Sequence, residues 1–382
     1  MEKKKTVCFI SGYSPSSMEG GYFKCSMQYI RFLEKEFNVI LFNASEHSLK
    51  GRFGFLHKRF KQALSLFTNK SSFEYDFYSN RVVQAFRNMP EADIYVYNHL
   101  RAAWLFRYRD KKHKSVYLAH NAEYASAVCV AQLISNPILR KLVKFDSKKV
   151  SRLEQDVINH MDLVVALSDE DKRRLEKHQN GVCRVTVCPP EINEWFHFDP
   201  QRHLTAEKNL NMIGSFTWHP KYFGAKWFIQ NVFAGIKHRN KEVMLSITGR
   251  DAKKLSALVV EGIDINSDVK DIKAYYARPG IFVIPEFQES GVKYKTIEAA
   301  SAGFPIVSTP AGVEGTGLVH GVSCLVCETA DEFVDALSEL ILDQELQVEL
   351  AHNAQKHIIK TFKEIDAGSA LLEAIKSLYD KT

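Results

Sequence analysis

The 382-residue sequence contains no run of 18 apolar residues, so no segment has the length and apolarity of a membrane-spanning helix. Glycine and proline are scarce, at 19 and 11 residues, which excludes collagen-like and low-complexity chains. The first apolar stretch, Val7–Ile10, is shorter than the hydrophobic region of a signal peptide and reads as a first strand. Seven cysteines are scattered and odd in number, so reduced thiols in a cytoplasmic protein are the expectation. Cys324 and Cys327 have C-x-x-C spacing but lie in a strand-like apolar run, and Cys183 with Cys188 makes a poor second pair for zinc. No repeat with a period of 20–50 residues is visible, which removes solenoids and propellers. The glycine-rich stretch Gly312, Gly315, Gly317 lacks the G-x-G-x-x-G order of a dinucleotide dehydrogenase.

What is present is the balance of a globular protein, 45% apolar and 25% charged, with length enough for two ordinary domains. The net charge of +6 is unevenly spread. Residues 1–200 hold 31 Lys/Arg against 22 Asp/Glu, whereas residues 201–382 hold 20 against 23. The excess is greatest in residues 1–114, with 20 basic and 10 acidic side chains. Opposite bias in two halves points to two domains with different partners.

Short β-rich runs alternate with helical patterns along both halves. Val7–Ser11, Val39–Phe42, Ile94–Tyr97, Val116–Ala119 and Leu163–Leu167 read as strands, and Phe23, Met27, Ile30 and Leu33 mark a helix face after Gly20 and Gly21. Pro189-Pro190 and the polar stretch to Lys208 read as a linker. The second series runs through Asn211–Gly214, Met244–Thr248, Ile281–Ile284, Pro305–Val307 and Cys324–Val326, with a helix carrying Trp227, Phe228 and Val232. Such alternation predicts an α/β protein with two parallel sheets covered on both faces. The expected domains are 1–200 and 201–360, with a helix over 361–382 packing back toward the N-terminal domain. Ligands of open parallel sheets bind beyond the carboxyl ends of the strands, so two facing domains would hold one in the cleft between them.

The most informative stretch is 285–305. A strand ends at Pro285, a polar loop follows, and Ser290-Gly291 precedes a helix whose first backbone N–H groups form a phosphate site. Lys293 and Lys295 add positive charge. Glu298 lies seven residues past Gly291, about 10 Å along a helix, where a carboxylate reaches both ribose hydroxyls of a nucleotide whose phosphates sit at the helix start. The plainer reading is an amphipathic helix with a surface Lys295–Glu298 pair.

This stretch, with Ser308, Thr309, Pro310, Ala311, Gly312, Val313, Glu314 and Gly315 after it, resembles the donor-binding region of GT-B glycosyltransferases of the family 4 type. The resemblance extends over nearly the whole chain. His120, Asn121 and Glu123 resemble the HN-x-E loop of the N-terminal domain; Arg152, Glu154 and the run Asp162–Asp169 resemble its closing helix and strand. Gly214, Trp218 and Pro220 resemble the first strand-loop of the C-terminal domain in bacterial polysaccharide glycosyltransferases.

The resemblance implies the GT-B fold of two Rossmann-like domains and a nucleotide-sugar donor, a substrate rather than a cofactor, bound mainly by the C-terminal domain. It implies retention and no catalytic metal. Glu298 would hold the ribose, and Ser290, Gly291 and Val292 would present N–H groups to the diphosphate, within a donor site that includes Glu314 and Lys295. Gly20 and Gly21 would close over the phosphates and sugar, and His120 would stand near the transferred sugar. The acceptor implied is a glycan or a lipid-linked glycan. Two positions depart from the family pattern. Its E-x7-E motif puts a carboxylate eight residues before Glu298, where this chain has Ser290; Glu286 or Glu289 would take that role through a shifted loop, or it is absent. An Arg often follows the glycine at Gly214, and here Ser215 does; Lys221, or Arg250 as second choice, would supply the cation that a departing diphosphate needs.

Other signals are plainer. Asp169-Glu170-Asp171 spells D-x-D but follows Ser168 as a capped helix start does. His99 and His219 are lone histidines of structural type, His219 with phosphate contact as its alternative. Residues 47–73 hold no acid and six bases (Lys50, Arg52, Lys58, Arg59, Lys61, Lys70), with Phe53, Leu56, Phe60, Leu64 and Phe67 at helical spacing. The expectation is a helix whose stripe packs on its own domain, the alternative a peripheral membrane contact through residues 48–70 on the inner membrane face. Nucleic acid is not expected, since no matching signature accompanies the charge. Two further alternatives stay open: a GT-B nucleotide-sugar epimerase, and a catalytically weak GT-B protein that binds nucleotide or scaffolds glycan assembly.

Overall fold

The computed structural model describes residues 4–15, 20–48, 51–109, 112–181, 183–191 and 208–379, with the side chains of 51–55, 58 and 59 outside that description. The linker read between Pro190 and Lys208 lies for the most part outside the described residues, as do Lys50 and the side chains of Arg52, Phe53, Lys58 and Arg59. The chain divides into two compact units, 1–191 with 366–382, and 192–365.

In the first unit the strands are β1 (Thr6–Ser11), β2 (Asn38–Asn43), β3 (Ile94–Asn98), β4 (Lys114–Leu118), β5 (Leu163–Ala166) and β6 (Arg184–Val187), in the order β2-β1-β3-β4-β5-β6. Every pairing is parallel. β3 is buried along its whole length, as a strand with both faces covered must be. The sheet's order reverses at β1, whose neighbours are β2 and β3, and the carboxyl ends of β1 and β3 are therefore where a crevice forms. The C-terminal helix Ala367–Lys376 belongs to this unit. Gly368 lies against the ring of Phe32, where a Cβ would be crowded, and Lys376 pairs with Glu36 at 3.2 Å.

The second unit has β7 (Asn209–Ile213), β8 (Met244–Gly249), β9 (Ile263–Ser267), β10 (Ile281–Ile284), β11 (Ile306–Ser308) and β12 (Leu325–Val326), in the order β12-β11-β10-β7-β8-β9. These pairs too are all parallel. The order reverses between β7 and β10, which places the crevice beyond Ile213 and Ile284.

Two local expectations are corrected, and the plainer reading of a Lys295–Glu298 pair is not met. The helix after Ser290-Gly291 begins only at Tyr294, so Glu298 is not a full helical rise from Gly291. Lys295 and Glu298 do not pair with each other; Lys295 pairs with Glu286, and Glu298 with Tyr276. Of the apolar stripe of the helix Gly51–Leu64, Leu56 and Phe60 are exposed, as is Phe67 beyond it, while Leu64 is half-buried, so among the described side chains most of the stripe is not packed on its own domain. No helix among the described residues is long and apolar enough to cross a membrane.

Candidate functional site

At the switch point of the second sheet, the loop after β10 meets the helix His219–Phe228. Gly224 of that helix lies directly against the backbone carbonyl of Pro285, an approach that any Cβ would block. One turn earlier the helix carries Lys221, which is thereby brought beside Glu286. Burial first, and then the neighbouring Lys295, hold the Lys221 ammonium down to about 8, with Glu286 pulling the other way. Lys221 has no hydrogen-bond or ion-pair partner among the described residues. Glu286 is nearly fully buried and forms an ion pair with Lys295. Burial pushes the Glu286 carboxyl up, but the charges of Lys295 and Lys221 outweigh it and hold it below the usual carboxylate range.

The loop 288–293 is shaped by two successive left-handed residues, Ser290 (φ 73°) and Gly291 (φ 74°). For Ser290 that conformation carries strain. Lys293 stabilises the turn from below, its Nζ donating to the carbonyls of Ser290 (2.7 Å) and Gly291 (3.0 Å). The Ser290 N–H donates to the Glu314 carboxylate at 2.7 Å, so this group, expected to face a diphosphate, is already paired with an anion of the chain itself. The Val292 N–H has no acceptor among the described residues. Glu289 is exposed, and Glu286 is tied to Lys295, so neither stands where position 290 would place a carboxylate. Trp218 Nε1 donates to Gln288 Oε1 at 3.0 Å, joining the loop after Gly214 to the loop after β10. Arg250 follows β8 with its side chain exposed, and its carbonyl accepts the Phe216 N–H at 2.9 Å. Glu298 accepts the hydroxyl of Tyr276 at 2.8 Å, and the Tyr276 ring stacks on Phe282. Tyr276 escaped sequence reasoning because no motif marks it.

In the first unit, His120 follows β4 and is buried. Its Nε2 is 2.7 Å from Asn98 Oδ1, at the end of β3. Asn98 Nδ2 donates to Ser26 Oγ (2.8 Å) and Tyr22 OH (3.2 Å), and the Tyr22 and Ser11 hydroxyls are 2.8 Å apart. Burial first, then His99, lower His120 to about 3, so its imidazole is neutral. Gly20 (φ 125°) starts the helix Gly21–Glu36 and so delivers Tyr22 to His120, with ring centroids 4.9 Å apart. Asn98, Tyr22, Ser26 and Ser11 were not singled out by sequence.

The loop 120–123 is held from behind. Glu154, fully buried, accepts the N–H groups of Glu123 and Tyr124, each at 2.9 Å, and so caps the helix Glu123–Gln132. Its carboxyl is pushed up to about 8 by burial, then by Glu123. Glu123 pairs with His99 Nε2 at 3.0 Å, while His99 Nδ1 accepts the Arg101 N–H, so His99 is structural in this arrangement. The D-x-D sequence is a helix start: Ser168 Oγ accepts the Asp171 N–H at 3.1 Å. His219 is the exposed first residue of its helix.

Comparison with known proteins agrees with this architecture. Residues 207–343 match the family described as glycosyl transferases group 1. The chain is 23% identical over 257 residues to the D-inositol 3-phosphate glycosyltransferase of Corynebacterium jeikeium (strain K411), covering 60% of this chain and 59% of that protein's length. Among solved structures, sucrose-phosphate synthase from Thermosynechococcus elongatus superposes with a TM-score of 0.74 at 13% identity, covering 99% of this chain and 100% of the other. Anabaena HepE in complex with UDP-glucose superposes with a TM-score of 0.66 at 15% identity, covering 98% and 100%. The two six-stranded parallel sheets are those of the GT-B glycosyltransferase fold.

Proposed function

We propose that this chain, a GT-B protein whose residues 207–343 form a glycosyl transferases group 1 domain, moves a sugar from a nucleotide-sugar donor onto a glycan or lipid-linked glycan, with retention and without a metal. The observation that carries the reading is the half-buried, unpaired Lys221 set beside the Glu286–Lys295 pair at the switch point of the second sheet. An ammonium with no protein anion of its own is suited to a departing diphosphate, whose charge would keep it protonated. Glu298, held by Tyr276, serves the ribose; Gly291, Val292 and Lys295 serve the phosphates, with Arg250 at their edge. His120, neutral and oriented by Asn98, serves a hydroxyl of the transferred sugar, with Gly20 and Gly21 beside it. UDP-glucose, the ligand in the Anabaena complex, is the first donor to try. The protein acts in the cytoplasm, and residues 48–70 provide a contact with the inner face of the membrane.

The test is a thermal-shift panel of nucleotide sugars followed by transfer assays with the best donor. A true donor binds only the native state and raises the melting temperature. Glu298→Ala and His120→Ala should each lower transfer by about a hundredfold or more without loss of fold; unchanged turnover in both variants would sink the site assignment. Product formed without any acceptor would favour an epimerase instead. One observation favours a second reading, nucleotide binding without transfer: position 290 lacks a carboxylate and its N–H is paired with Glu314. Calorimetric nucleotide binding with neither transfer nor hydrolysis on any donor would select that reading.

A further inference from the structure

The long helix Pro137–Asn159 of the first unit carries one apolar face, and only part of it is covered. Its second half buries Val150, Leu153 and Val157 in the unit's core. Its N-terminal half presents Ile138, Leu139, Leu142 and Phe145 at the spacing of that same face. There they stand in solvent: Ile138 is 72% exposed, Leu139 50% and Phe145 49%. Four large apolar side chains in one row exceed the scattered exposure that any protein surface shows.

The flank of the same helix is basic. From Tyr124 to Leu153 the sequence has one acid, Asp146, against six bases, Arg140, Lys141, Lys144, Lys148, Lys149 and Arg152. Asp146 is engaged by Ser72, whose N–H it accepts at 2.9 Å. Lys149 donates to the carbonyls of Ser65 and Thr68, which fastens the turn Ser65–Phe67 to this helix. Phe67, on that turn, is 86% exposed.

We propose that the N-terminal half of this helix, with Phe67 beside it, docks in the interface of an anionic lipid bilayer. Ile138, Leu139, Leu142 and Phe145 enter the acyl boundary, and Arg140, Lys141, Lys144 and Lys148 stay at the depth of the headgroup phosphates. Charge selects this occupant. A second copy of the chain would set one basic flank against another, whereas an anionic bilayer meets it with opposite charge. Apart from Phe67 the surface lies outside residues 48–70, and all of it belongs to the first unit. Its docking needs neither donor nor acceptor, so its failure would leave the transferase reading untouched.

The test is cosedimentation of the full chain with vesicles of phosphatidylcholine alone or with about 30% phosphatidylglycerol. Partitioning onto the anionic vesicles should be at least about tenfold stronger, and should weaken as salt screens the charges. The variants I138S/L142S/F145S and K141E/K144E/K148E should each lose about tenfold or more of that partitioning. Their melting temperatures should stay near that of the wild type, because every replaced side chain is exposed. A wild type indifferent to anionic lipid, or variants that partition as it does, overturns the proposal. So does a wild-type dimer that I138S/L142S/F145S converts to monomer in sedimentation velocity, which assigns the face to a second copy.

Discussion

The carboxamide oxygen of Asn98 and the Nε2 of His120 are 2.7 Å apart, joining the ends of two neighbouring strands. The Asn98 nitrogen faces the hydroxyls of Ser26 and Tyr22, so its oxygen faces the ring, and Nε2 must carry the proton. Nδ1 is left as the acceptor of a ring that burial holds neutral, at about 3. A change from amide to carboxylate at Asn98 preserves the shape and reverses the electrostatics. Asn98→Asp should raise the His120 pKa toward its ordinary value, because an adjacent anion favours imidazolium. Transfer by the variant should then fall as pH drops between about 8 and 5, a limb that the wild type lacks. The comparison is kcat/KM against pH for both proteins, and superimposable profiles would remove His120 from the reaction.

Lys221 makes the opposite pH statement. With its pKa lowered to about 8 it is charged at neutral pH and loses its proton just above. If the cation binds a diphosphate, affinity should fall about tenfold between pH 7 and 9, one proton being taken up on binding. Lys221→Gln should bind more weakly at pH 7 and show no such decline. Calorimetry with the nucleoside diphosphate of the preferred donor, at both pH values, decides it. A wild type whose affinity is flat over this range refutes the role.

Glu154 gives a stability prediction. Its folded carboxyl is raised to about 8 from an ordinary 4.5. A raised pKa means that the stabilisation is complete below the ordinary value and is lost as pH climbs through the folded one. Wild-type stability should therefore decline between about pH 5 and 9. Glu154→Gln cannot ionise and should not share that component of the decline. At pH 5 the variant should be less stable by about 1–3 kcal/mol, because an amide offers one acceptor to the two N–H groups that Glu154 caps. Melting curves of both proteins across this range test the sign. A constant offset between them would show that Glu154 does not titrate.

Among the described residues, ten of the twelve strands are foreshadowed by apolar runs, and the two that are not have a physical reason. β6 and β9 lie at sheet edges; Arg184–Val187 and Ile263–Ser267 are half-exposed and mix polar with apolar residues, so neither makes a continuous apolar run. The candidate site divides in the same way. Lys221, Ser290, Gly291, Glu298 and His120 stand in local motifs and were visible. Asn98, Ser11 and Tyr22 reach His120 only because strands distant in sequence are neighbours in the sheet. No spacing along the chain encodes that. The exposed face at Ile138–Phe145 was likewise invisible, since an apolar face at helical spacing reads the same whether the fold covers it or not.

Tyr276 is a residue of the second unit that the fold, not its place in the sequence, connects to its partner. Its hydroxyl donates to Glu298 at 2.8 Å across 22 residues of sequence, and its ring stays stacked on Phe282 whatever happens to the hydroxyl. Tyr276→Phe therefore removes the hydrogen bond to Glu298 and leaves the ring stacking in place, at a stability cost of about 1 kcal/mol. If Glu298 holds the donor ribose, the carboxylate without the Tyr276 hydroxyl should bind it less well oriented. The donor KM should then rise several-fold while kcat changes little, since that contact is made equally in ground and transition states. Glu298→Gln should produce the larger effect. Combining the two substitutions should add little to Glu298→Gln alone, because Tyr276 acts through that carboxylate. Fully additive losses in the double variant would mean that Tyr276 and Glu298 contribute separately, and that Tyr276 is not a positioning residue for Glu298.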